Sequence, residues 1–277
     1  MLISVIVTTY NRPKALDRVL DALAEQDDAA YEVIVGDDGS REETRVLIEG
    51  WKARYPVRLE HAWQGDIGFR LARVRNLAAL KARGDYLIFL DGDCVPRKNW
   101  VSRHRALAER GWVVAGNRAL VSEAFTKRVE DERLRLQDLS LSECLKLAAD
   151  RSINRALPLL TLPMPFRKAG GKRWERLRGC NFGLYKDDLL AVNGFDGLYK
   201  GWGLEDSDFA IRIINRGGGI KAGKFATGVF HLYHPENNRS CRDANYERMM
   251  QRLRNHSTQA EDGLREIEKY AEAPACA

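Results

Sequence analysis

Two kinds of segment alternate through the first half of the chain: short runs of consecutive apolar residues, and longer stretches whose apolar residues recur at helical spacing. The short runs predict buried strands, and the longer stretches predict amphipathic helices. This alternation is typical of an α/β fold with a mostly parallel sheet and helices on both faces. The predicted strands are residues 2–7, 31–35, 57–61, 86–91 and 112–115, and the predicted helices are residues 13–25, 42–54, 70–83 and 98–110.

The pattern changes between residues 120 and 178, and we interpret this part as an insertion in the domain. Two helices are predicted there, over residues 130–137 and 141–156, ahead of a proline-rich segment. A basic stretch with Glu175 as its single acid follows. We expect a mobile loop able to meet anions, although such a charge run is also typical of a solvated surface. Its cations are Arg167, Lys168, Lys172, Arg173, Arg176 and Arg178.

The end of the chain is polar and predicts a C-terminal helical appendage over residues 236–277, with helices at 243–254 and 258–271. With 277 residues, of which 44% are hydrophobic and 30% charged, the chain can bury a full core. The predicted organisation is one domain over residues 1–235, which contains the insertion at about 120–178, followed by the appendage.

Composition narrows the environment and the partners of the protein. The five cysteines are scattered and include no Cys-x-x-Cys pair. Neither a disulfide framework nor a zinc knuckle is therefore predicted, and a reducing cytoplasm fits best. The net charge of +6 permits an anionic partner such as nucleic acid, phospholipid headgroups or a phosphorylated substrate. Charge alone does not choose among these partners.

The sequence Asp91-Gly92-Asp93 comes directly after the apolar run of residues 86–90. Ligands of parallel sheets bind beyond the carboxyl ends of the strands, which is where both carboxylates are expected. Two carboxylates so close together repel each other unless a divalent cation neutralises them, and Gly92 lets the backbone approach a ligand. The pattern predicts a metal site, and a simple Asp-Gly turn is the alternative.

Three more polar segments are predicted at ends of the same sheet. Residues 8–13 follow the first strand, residues 36–40 follow the second, and residues 68–76 begin the helix ahead of the Asp-Gly-Asp strand. In a doubly wound sheet these ends converge on one crevice. Helix capping and tight turns are alternative explanations of the same residues.

Side chains in these segments suit a nucleotide. Tyr10 could stack on a base, and a carboxylate of the pair Asp37 and Asp38 could accept from a pyrimidine ring N–H. Arg70 or Arg12 could meet phosphate oxygens. Each motif alone is weak evidence, but their joint order indicates a nucleotide site.

Three acids, Glu205, Asp206 and Asp208, crowd the first turn of a predicted helix after the sequence Gly201-Trp-Gly. Acids at this position cap a helix and interact favourably with its dipole, each by about 0.3–1 kcal/mol. Three acids exceed what capping needs. The same dipole keeps a carboxylate ionised at neutral pH, which suits a general base that takes a proton from a hydroxyl.

His231 and His234 lie at the end of a predicted strand, just before Pro235. A lone histidine is more often structural, but either of these two could supply an imidazole to the cation that Asp93 binds. Carboxylate, imidazole and pyrophosphate oxygens together favour Mn²⁺ over Mg²⁺, because imidazole is an unusual partner for the harder ion. Zinc is less expected without thiolates or a His-rich triad.

In their joint order, these motifs make the chain similar to a family 2 glycosyltransferase of the GT-A fold. Within that family it most resembles the chondroitin-polymerase-like and β-1,4-galactosyltransferase-like branch. The resemblance covers residues 1 to about 120 and about 178 to 236. It rests on Thr8-x-Tyr-Asn-Arg12, Asp37-Asp-Gly-Ser40, Gly-Phe-Arg70-Leu, Asp91-Gly-Asp93 and Gly201-Trp-Gly-Leu-Glu-Asp206.

The resemblance implies contacts to the sugar donor. Thr8, Tyr10 and Asp38 would hold the uridine, and Arg12 belongs to the same nucleotide-binding segment. Arg70 matches a position whose basic side chain meets the nucleotide.

The resemblance also implies metal ligands and a catalytic base. Asp93, with Asp91 beside it, matches the acid that binds the metal gripping the diphosphate. His234 matches a metal-binding histidine, and His231 falls where the galactosyltransferase branch has a methionine ligand. Asp206 matches the catalytic base.

These features predict an inverting, metal-dependent transfer of a sugar from a UDP-sugar to a hydroxyl of a glycan or lipid-linked acceptor, of the cell-surface polysaccharide or lipopolysaccharide type. Asp206 would deprotonate the hydroxyl, with Glu205 as the second candidate catalytic residue. Mn²⁺, or Mg²⁺, is the expected cofactor. A single displacement inverts the anomeric carbon, and apart from the metal motif one acidic cluster is present, without a second nucleophile.

Other classes of protein fit less well. A sugar nucleotidyltransferase should carry a glycine-rich loop after the first strand, and a nucleic-acid-binding module should interleave aromatic residues with a basic strand face. A dehydrogenase should carry Gly-x-Gly-x-x-Gly. We therefore expect no nucleic acid partner, and a cytoplasmic protein for which peripheral contact with the anionic inner face of the plasma membrane stays an option.

Overall fold

Seven strands form the central sheet of the computed structural model, which describes residues 1–235 and 240–272. Their order across the sheet is β3-β2-β1-β4-β8-β6-β9, and a second sheet has the order β5-β10-β7. The strands are β1 Ile3–Thr9, β2 Tyr31–Asp37, β3 Leu59–Trp63, β4 Tyr86–Asp91, β5 Cys94–Pro96, β6 Trp112–Ala115, β7 Asn117–Leu120, β8 Asn181–Tyr185, β9 Gly219–Ala222 and β10 Gly228–His231.

The register of the parallel strands brings three of the predicted polar segments together. β1 pairs in parallel with both β2 and β4, and β8 is antiparallel to β4 and β6. Thr8 lies opposite Asp91, and Thr9 lies opposite Asp37. Because parallel strands end at the same edge of the sheet, the segments after β1, β2 and β4 are neighbours there.

The second sheet brings the histidine segment to the same region. β10 is antiparallel to β5, with His231 opposite Cys94, and it is parallel to β7. The backbone N–H of Leu232 donates to the carbonyl of Asp93 at 2.8 Å. The end of β10 therefore lies beside the Asp-Gly-Asp segment.

Helices cover both faces of the central sheet, as the sequence predicts. Side chains of α1 and α2 pack on one face, in the core cluster that includes Val5 and Val7, and side chains of α3 and α8 pack on the other, with Ile6 and Phe89. The helices are α1 Pro13–Ala24, α2 Glu42–Lys52, α3 Leu71–Lys81, α4 Trp100–Leu107, α5 Glu123–Asp131, α6 Leu141–Ala149, α7 Lys186–Ala191, α8 Glu205–Asn215, α9 Arg242–Asn255 and α10 Leu264–Glu272.

Three predicted helices differ most from the structure in their bounds. The helix predicted at 130–137 is wrong: α5 begins at Glu123, where the Ser122 side chain caps it, and it ends at Asp131. The helix predicted at 141–156 ends at Ala149, and the one predicted at 258–271 begins at Leu264. Residues with left-handed φ follow both early ends, Arg133 at 55° and Arg151 at 64°.

Several cations of the basic stretch have partners inside the protein. Lys172 Nζ donates to the Gly217 and Gly218 carbonyls at 3.2 and 2.7 Å, and Lys168 pairs with Glu109. These contacts attach the stretch to the region around β9. Its role as an anion-binding loop stays a prediction.

The C-terminal helices connect to the core through buried charges. Arg252 of α9 pairs with Asp196 at 2.8 Å and with Asp208 of α8 at 2.9 Å, and all three side chains are almost completely buried. Arg212 pairs with Asp208 from within α8 at 2.7 Å. Asp208 is thus engaged in holding α8 and α9 together.

Across the two described ranges of the chain, none of the helices combines the length and the apolar character needed to cross a bilayer.

Candidate active site

Asp91 lies at the end of β4, where two side chains hold its carboxylate. The Thr8 hydroxyl donates to Asp91 Oδ1 at 3.1 Å, and Arg75 Nη2 donates to the same oxygen at 3.2 Å. Gly92 comes next, and its N–H donates to the Thr8 carbonyl at 2.7 Å. A Cβ at Gly92 would lie 2.7 Å from that carbonyl oxygen, so glycine is the residue that this turn accepts.

Arg75, on α3, joins the strand-end acids to the acids of α8. Its side chain is 1% exposed. Besides Asp91, it binds Glu205 Oε1 at 3.1 Å through Nη1 and the Gly179 carbonyl at 2.9 Å through Nη2. Arg75 lies within the segment 68–76 but is not among the candidate site residues that the sequence predicts. Its position nevertheless indicates a buried arginine, because Arg75 stands three residues after Ala72 and four before Ala79, on the apolar face that α3 buries.

The two catalytic candidates on α8 have different environments. Glu205 is buried, and this burial, reinforced by the Asp206 charge, raises the pKa of Glu205 to about 7 even though Arg75 opposes the shift. Asp206 is partly exposed, and its two oxygens accept from the Gly179 N–H at 2.8 Å and the Ser207 N–H at 2.7 Å. Backbone donors and the helix amino terminus therefore hold Asp206 with an open path to solvent.

Asp93 lies among groups that can bind a cation. Its oxygens are 3.5 Å from His231 Nε2 and 3.8 Å from His234 Nε2, and the Arg12 guanidinium donates to it at 2.8 Å. Burial lowers the pKa of His231 although Asp93 opposes this, which favours the neutral imidazole that ligates metals.

This donor set fits a divalent ion. One carboxylate from the β4–β5 turn and two imidazoles, from the end of β10 and the segment after it, converge there, and such groups can ligate a divalent metal. The structure adds a thiol that the sequence did not suggest: donor atoms of Asp93, Cys94 and His231 all lie within 4.8 Å of one another. Asp91, by contrast, faces Thr8 and Arg75, and its role as a second ligand stays a prediction.

The nucleotide-binding candidates lie around the loops after β1, β2 and β3. Asp38 is buried, which raises the pKa of its carboxyl even though the Arg70 N–H donates to it at 2.7 Å and Gln64 at 2.5 Å. Tyr10 is 46% exposed and donates from its hydroxyl to Asp66 at 3.0 Å. The ring of Tyr10 is therefore accessible to a base.

The Arg70 side chain lines a cavity of 500 Å³ beside the Gly201-Trp-Gly segment. Arg70 Nη2 also donates to the Gly65 carbonyl at 2.6 Å. Arg73 and Lys200 line the same space, so the cavity carries cationic groups. It lies between the loop that precedes α3 and the Gly201-Trp-Gly segment that precedes the acids of α8.

Two family descriptions match the chain in succession. Residues 4–168 match glycosyl transferase family 2, and residues 168–235 match the family described as the N-terminal domain of galactosyltransferase. The first match extends over more than half of the chain, which belongs to glycosyl transferase family 2. Membership of this family identifies the chain as a glycosyltransferase. The nucleotidyltransferase, nucleic-acid-binding and dehydrogenase alternatives are therefore not supported.

Curated relatives are polysaccharide synthases and glycosyltransferases. The chain is 28% identical over 228 residues to the chondroitin synthase of Pasteurella multocida (strain Pm70), across 78% of this chain and 23% of that protein. It is 31% identical over 239 residues to validoxylamine A glucosyltransferase of Streptomyces hygroscopicus subsp. jinggangensis (strain 5008), across 78% of this chain and 52% of that protein. The chain thus spans no more than 52% of the length of either relative.

Solved structures show the same fold. S. aureus TarS 1-349 in complex with UDP superposes with a TM-score of 0.59 at 17% identity, over 92% of this chain and 65% of that one. The mannosyltransferase PcManGT from Pyrobaculum calidifontis, in complex with GDP-Man and Mn²⁺, superposes with a TM-score of 0.54 at 19% identity, over 99% of this chain and 65% of that one. The predicted GT-A fold is confirmed.

Proposed function

We propose that this chain transfers a sugar from a UDP-sugar to a hydroxyl of a glycan or glycolipid acceptor, with inversion at the anomeric carbon and with a divalent metal. The observation that carries the proposal is the Arg75 contact set. Through it, the acid at the end of β4 and the acids at the start of α8 share one crevice. A sugar donor bound near the end of β4 would therefore lie close to an acceptor hydroxyl whose proton is removed at the start of α8.

Asp206 is the proposed general base. It is the more exposed of the two catalytic candidates, and the Gly179 and Ser207 N–H groups hold its carboxylate at the amino terminus of α8. Glu205 is buried against Arg75 and has less access to an acceptor hydroxyl. We assign Glu205 the task of positioning Arg75 and the start of α8.

The reaction is a single displacement. Asp206 takes the proton from the acceptor hydroxyl as the hydroxyl oxygen forms a bond to the anomeric carbon. The bond from that carbon to the β-phosphate oxygen breaks on the opposite face, and UDP leaves with the electron pair. Cationic side chains of the crevice, Arg12 and Arg70 in our assignment, stabilise the charge that grows on the diphosphate.

Asp93, His231 and His234 are the residues that would hold the metal, for which Mn²⁺ is the proposed ion. When bound, the ion supplies positive charge for the leaving diphosphate. Arg12 already contacts Asp93 and also Glu130, at 2.8 and 3.3 Å. Arg12 therefore keeps the Asp93 carboxylate in place and partly neutralised.

The donor and acceptor are proposed from the resemblance together with the relatives. A solved structure of similar fold holds UDP, and in our proposal the exposed ring of Tyr10 stacks on the uracil while the Asp38 carboxylate accepts a hydrogen bond from it. A chondroitin synthase and a hyaluronan synthase are among the relatives, which supports a polysaccharide-type acceptor.

A panel of nucleotide sugars tests the proposal. We expect Mn²⁺-dependent release of UDP from one or a few UDP-sugars, and thermal stabilisation by UDP only when Mn²⁺ is present. Asp93→Ala, which removes a candidate metal ligand, should lose this Mn²⁺ dependence. Asp131→Ala is its matched control for loss of charge, because Asp131 is 62% exposed and pairs with Lys14. GDP-sugars turned over in preference to UDP-sugars would overturn the donor assignment, and turnover unchanged by EDTA would overturn the metal.

A further inference from the structure

Two loops form an exposed apolar surface outside the candidate active site. The N–H of Leu162 donates to the Phe225 carbonyl at 3.0 Å, which holds residues 160–168 beside residues 223–226. The Leu162 side chain is 47% exposed, and the Phe166 side chain is 84% exposed. We call the surface formed by Leu162, Met164, Phe166 and Phe225 the loop patch.

The backbone of the loop patch is held in an uncommon conformation. Phe166 and Phe225 have φ angles of 56° and 60°, in the left-handed region that bulky residues rarely adopt. Arg167 braces both loops, because its guanidinium donates to the carbonyls of Ala222 and Lys224 at 2.8 and 2.7 Å. Strain of this kind persists where surrounding structure enforces it, often at functional surfaces.

A cavity of 460 Å³ opens between the loop patch and the last turn of α4. Its lining is mainly apolar and includes Leu107, Pro163 and Met164. Leu162, Met164 and Phe225 of the loop patch line this depression, so the apolar surface is more than a single protruding ring. Contiguous apolar area of this sort marks an interaction site more often than scattered exposed residues do.

Cationic side chains surround the loop patch. Arg103 is exposed at the cavity, and within residues 1–235 and 240–272 no carboxylate lies at ion-pair distance from it. Lys224 is exposed too, with Nζ 4.8 Å from the centre of the Phe225 ring. Glu109 already pairs with Lys168 and Lys221. The loop patch therefore combines apolar side chains with positive charge that acids do not neutralise.

We propose that the loop patch docks on an anionic lipid bilayer. Leu162 and Phe166 would enter the boundary between headgroups and acyl chains, while Arg103 and Lys224 meet lipid phosphates. A symmetric contact between two copies would bring these like charges together. RNA would leave the aliphatic Leu162 and Met164 in water, because bases stack on aromatic side chains.

The loop patch and the metal-ligand candidates lie at opposite ends of β10. The loop at 223–226 precedes β10, and the metal-ligand candidate His231 is the last residue of that strand. Ala226, the last residue of that loop, is five residues before His231, which corresponds to roughly 16 Å of extended chain. The docking proposal does not depend on the proposed function, since its test measures no sugar transfer.

Vesicle co-sedimentation of the whole protein tests the docking. We expect the protein to sediment with vesicles of phosphatidylcholine and phosphatidylglycerol, and far less with phosphatidylcholine alone. Phe166→Ser combined with Leu162→Ser should lower the partition coefficient by about tenfold or more, because two apolar anchors are lost. Arg103→Gln combined with Lys224→Gln should weaken binding and reduce its dependence on salt.

Matched controls change similar residues elsewhere. Val46→Ser alters a side chain of α2 that is 57% exposed, at the other edge of the central sheet, and Lys52→Gln with Arg83→Gln removes two exposed cations. These variants should sediment like the unchanged protein. Thermal melts identify variants with altered folding. If one pair of patch substitutions impairs folding, the other pair still tests the docking.

Three outcomes would overturn the docking. The first is no sedimentation of the unchanged protein with anionic vesicles, and the second is equal sedimentation after both pairs of patch substitutions. The third is that Phe166→Ser abolishes dimerisation in the absence of vesicles, or binding to RNA, but does not change binding to vesicles. Either result would assign the loop patch to another occupant.

Discussion

Arg75 and Glu205, 130 positions apart in the chain, form a buried ion pair of 3.1 Å inside the candidate active site. Arg75 also contacts Asp91 and the Gly179 carbonyl, so a single guanidinium supports both halves of the crevice. A side chain with this many buried partners is part of the folded structure as well as of the site. The predictions below separate these two kinds of role.

Replacing Arg75 should destabilise the protein. Arg75→Met leaves Glu205 buried without its cation and removes a donor from Asp91, and breaking a buried pair typically costs about 3–5 kcal/mol. Urea unfolding followed by circular dichroism measures this loss. Arg73→Met is the control on the same helix, where Arg73 is partly exposed and bonded to Gln64 at 2.7 Å, and it should cost less than about 1 kcal/mol. Equal losses in the two variants would contradict the role of Arg75.

The stability of the protein should depend on pH through Glu205. Its pKa of about 7 lies above the ordinary value of 4.5, so the folded protein binds this proton more tightly than the unfolded chain does. The stabilisation is complete at pH values below that ordinary pKa and is lost as the pH rises through about 7. Glu205→Gln should remove this fall in the free energy of unfolding, which urea titrations between about pH 5 and 8 in EDTA would measure.

The matched control for this titration is Glu43→Gln, which changes an exposed acid in the first turn of α2. It should keep the pH dependence of the unchanged protein. The same slope in Glu205→Gln as in the unchanged protein would show that another group titrates in this range.

Asp206→Asn should separate binding from catalysis. The amide keeps the size of the side chain but accepts no proton, so UDP affinity should stay near that of the unchanged protein while transfer falls by about 10²- to 10⁴-fold. Calorimetry with UDP and Mn²⁺ gives the affinity, and UDP release from the active donor gives the rate. Asp187→Asn, at a residue that is 71% exposed and pairs with Arg110, is the control. A parallel loss of affinity and rate would argue against Asp206 as the base.

Asp93→Ala should abolish the Mn²⁺ dependence of UDP binding. The substitution removes the carboxylate that lies near both imidazoles, and it leaves Arg12 with Glu130 as its carboxylate partner. Manganese binding followed by electron paramagnetic resonance, in the absence of nucleotide, gives a readout separate from activity. Undiminished Mn²⁺ binding in this variant would place the metal elsewhere.

The hydrophobic pattern was sufficient to predict the βα units before residue 120, because β1, β2 and β4 are buried on both faces and each helix on one. The helix bounds within 120–178 were not predictable in the same way. α5 and α6 end just before Arg133 and Arg151, whose left-handed φ angles are held without the glycine that usually signals such an end. Local sequence carries little information about a turn that tertiary packing enforces.

The motifs of the candidate site could be predicted from the sequence, because their side chains directly follow strands that the hydrophobic pattern predicts. What the sequence determined by itself was the fold class and the segments that meet at the crevice. Only the tertiary structure decided that Arg75 joins Asp91 to Glu205, that Asp208 is engaged by Arg212 and Arg252, and that the Cys94 thiol lies beside His231. The physical reason is that hydrophobic burial repeats with the period of the local structure. The pairing of buried charges, by contrast, depends on contacts between elements far apart in the chain.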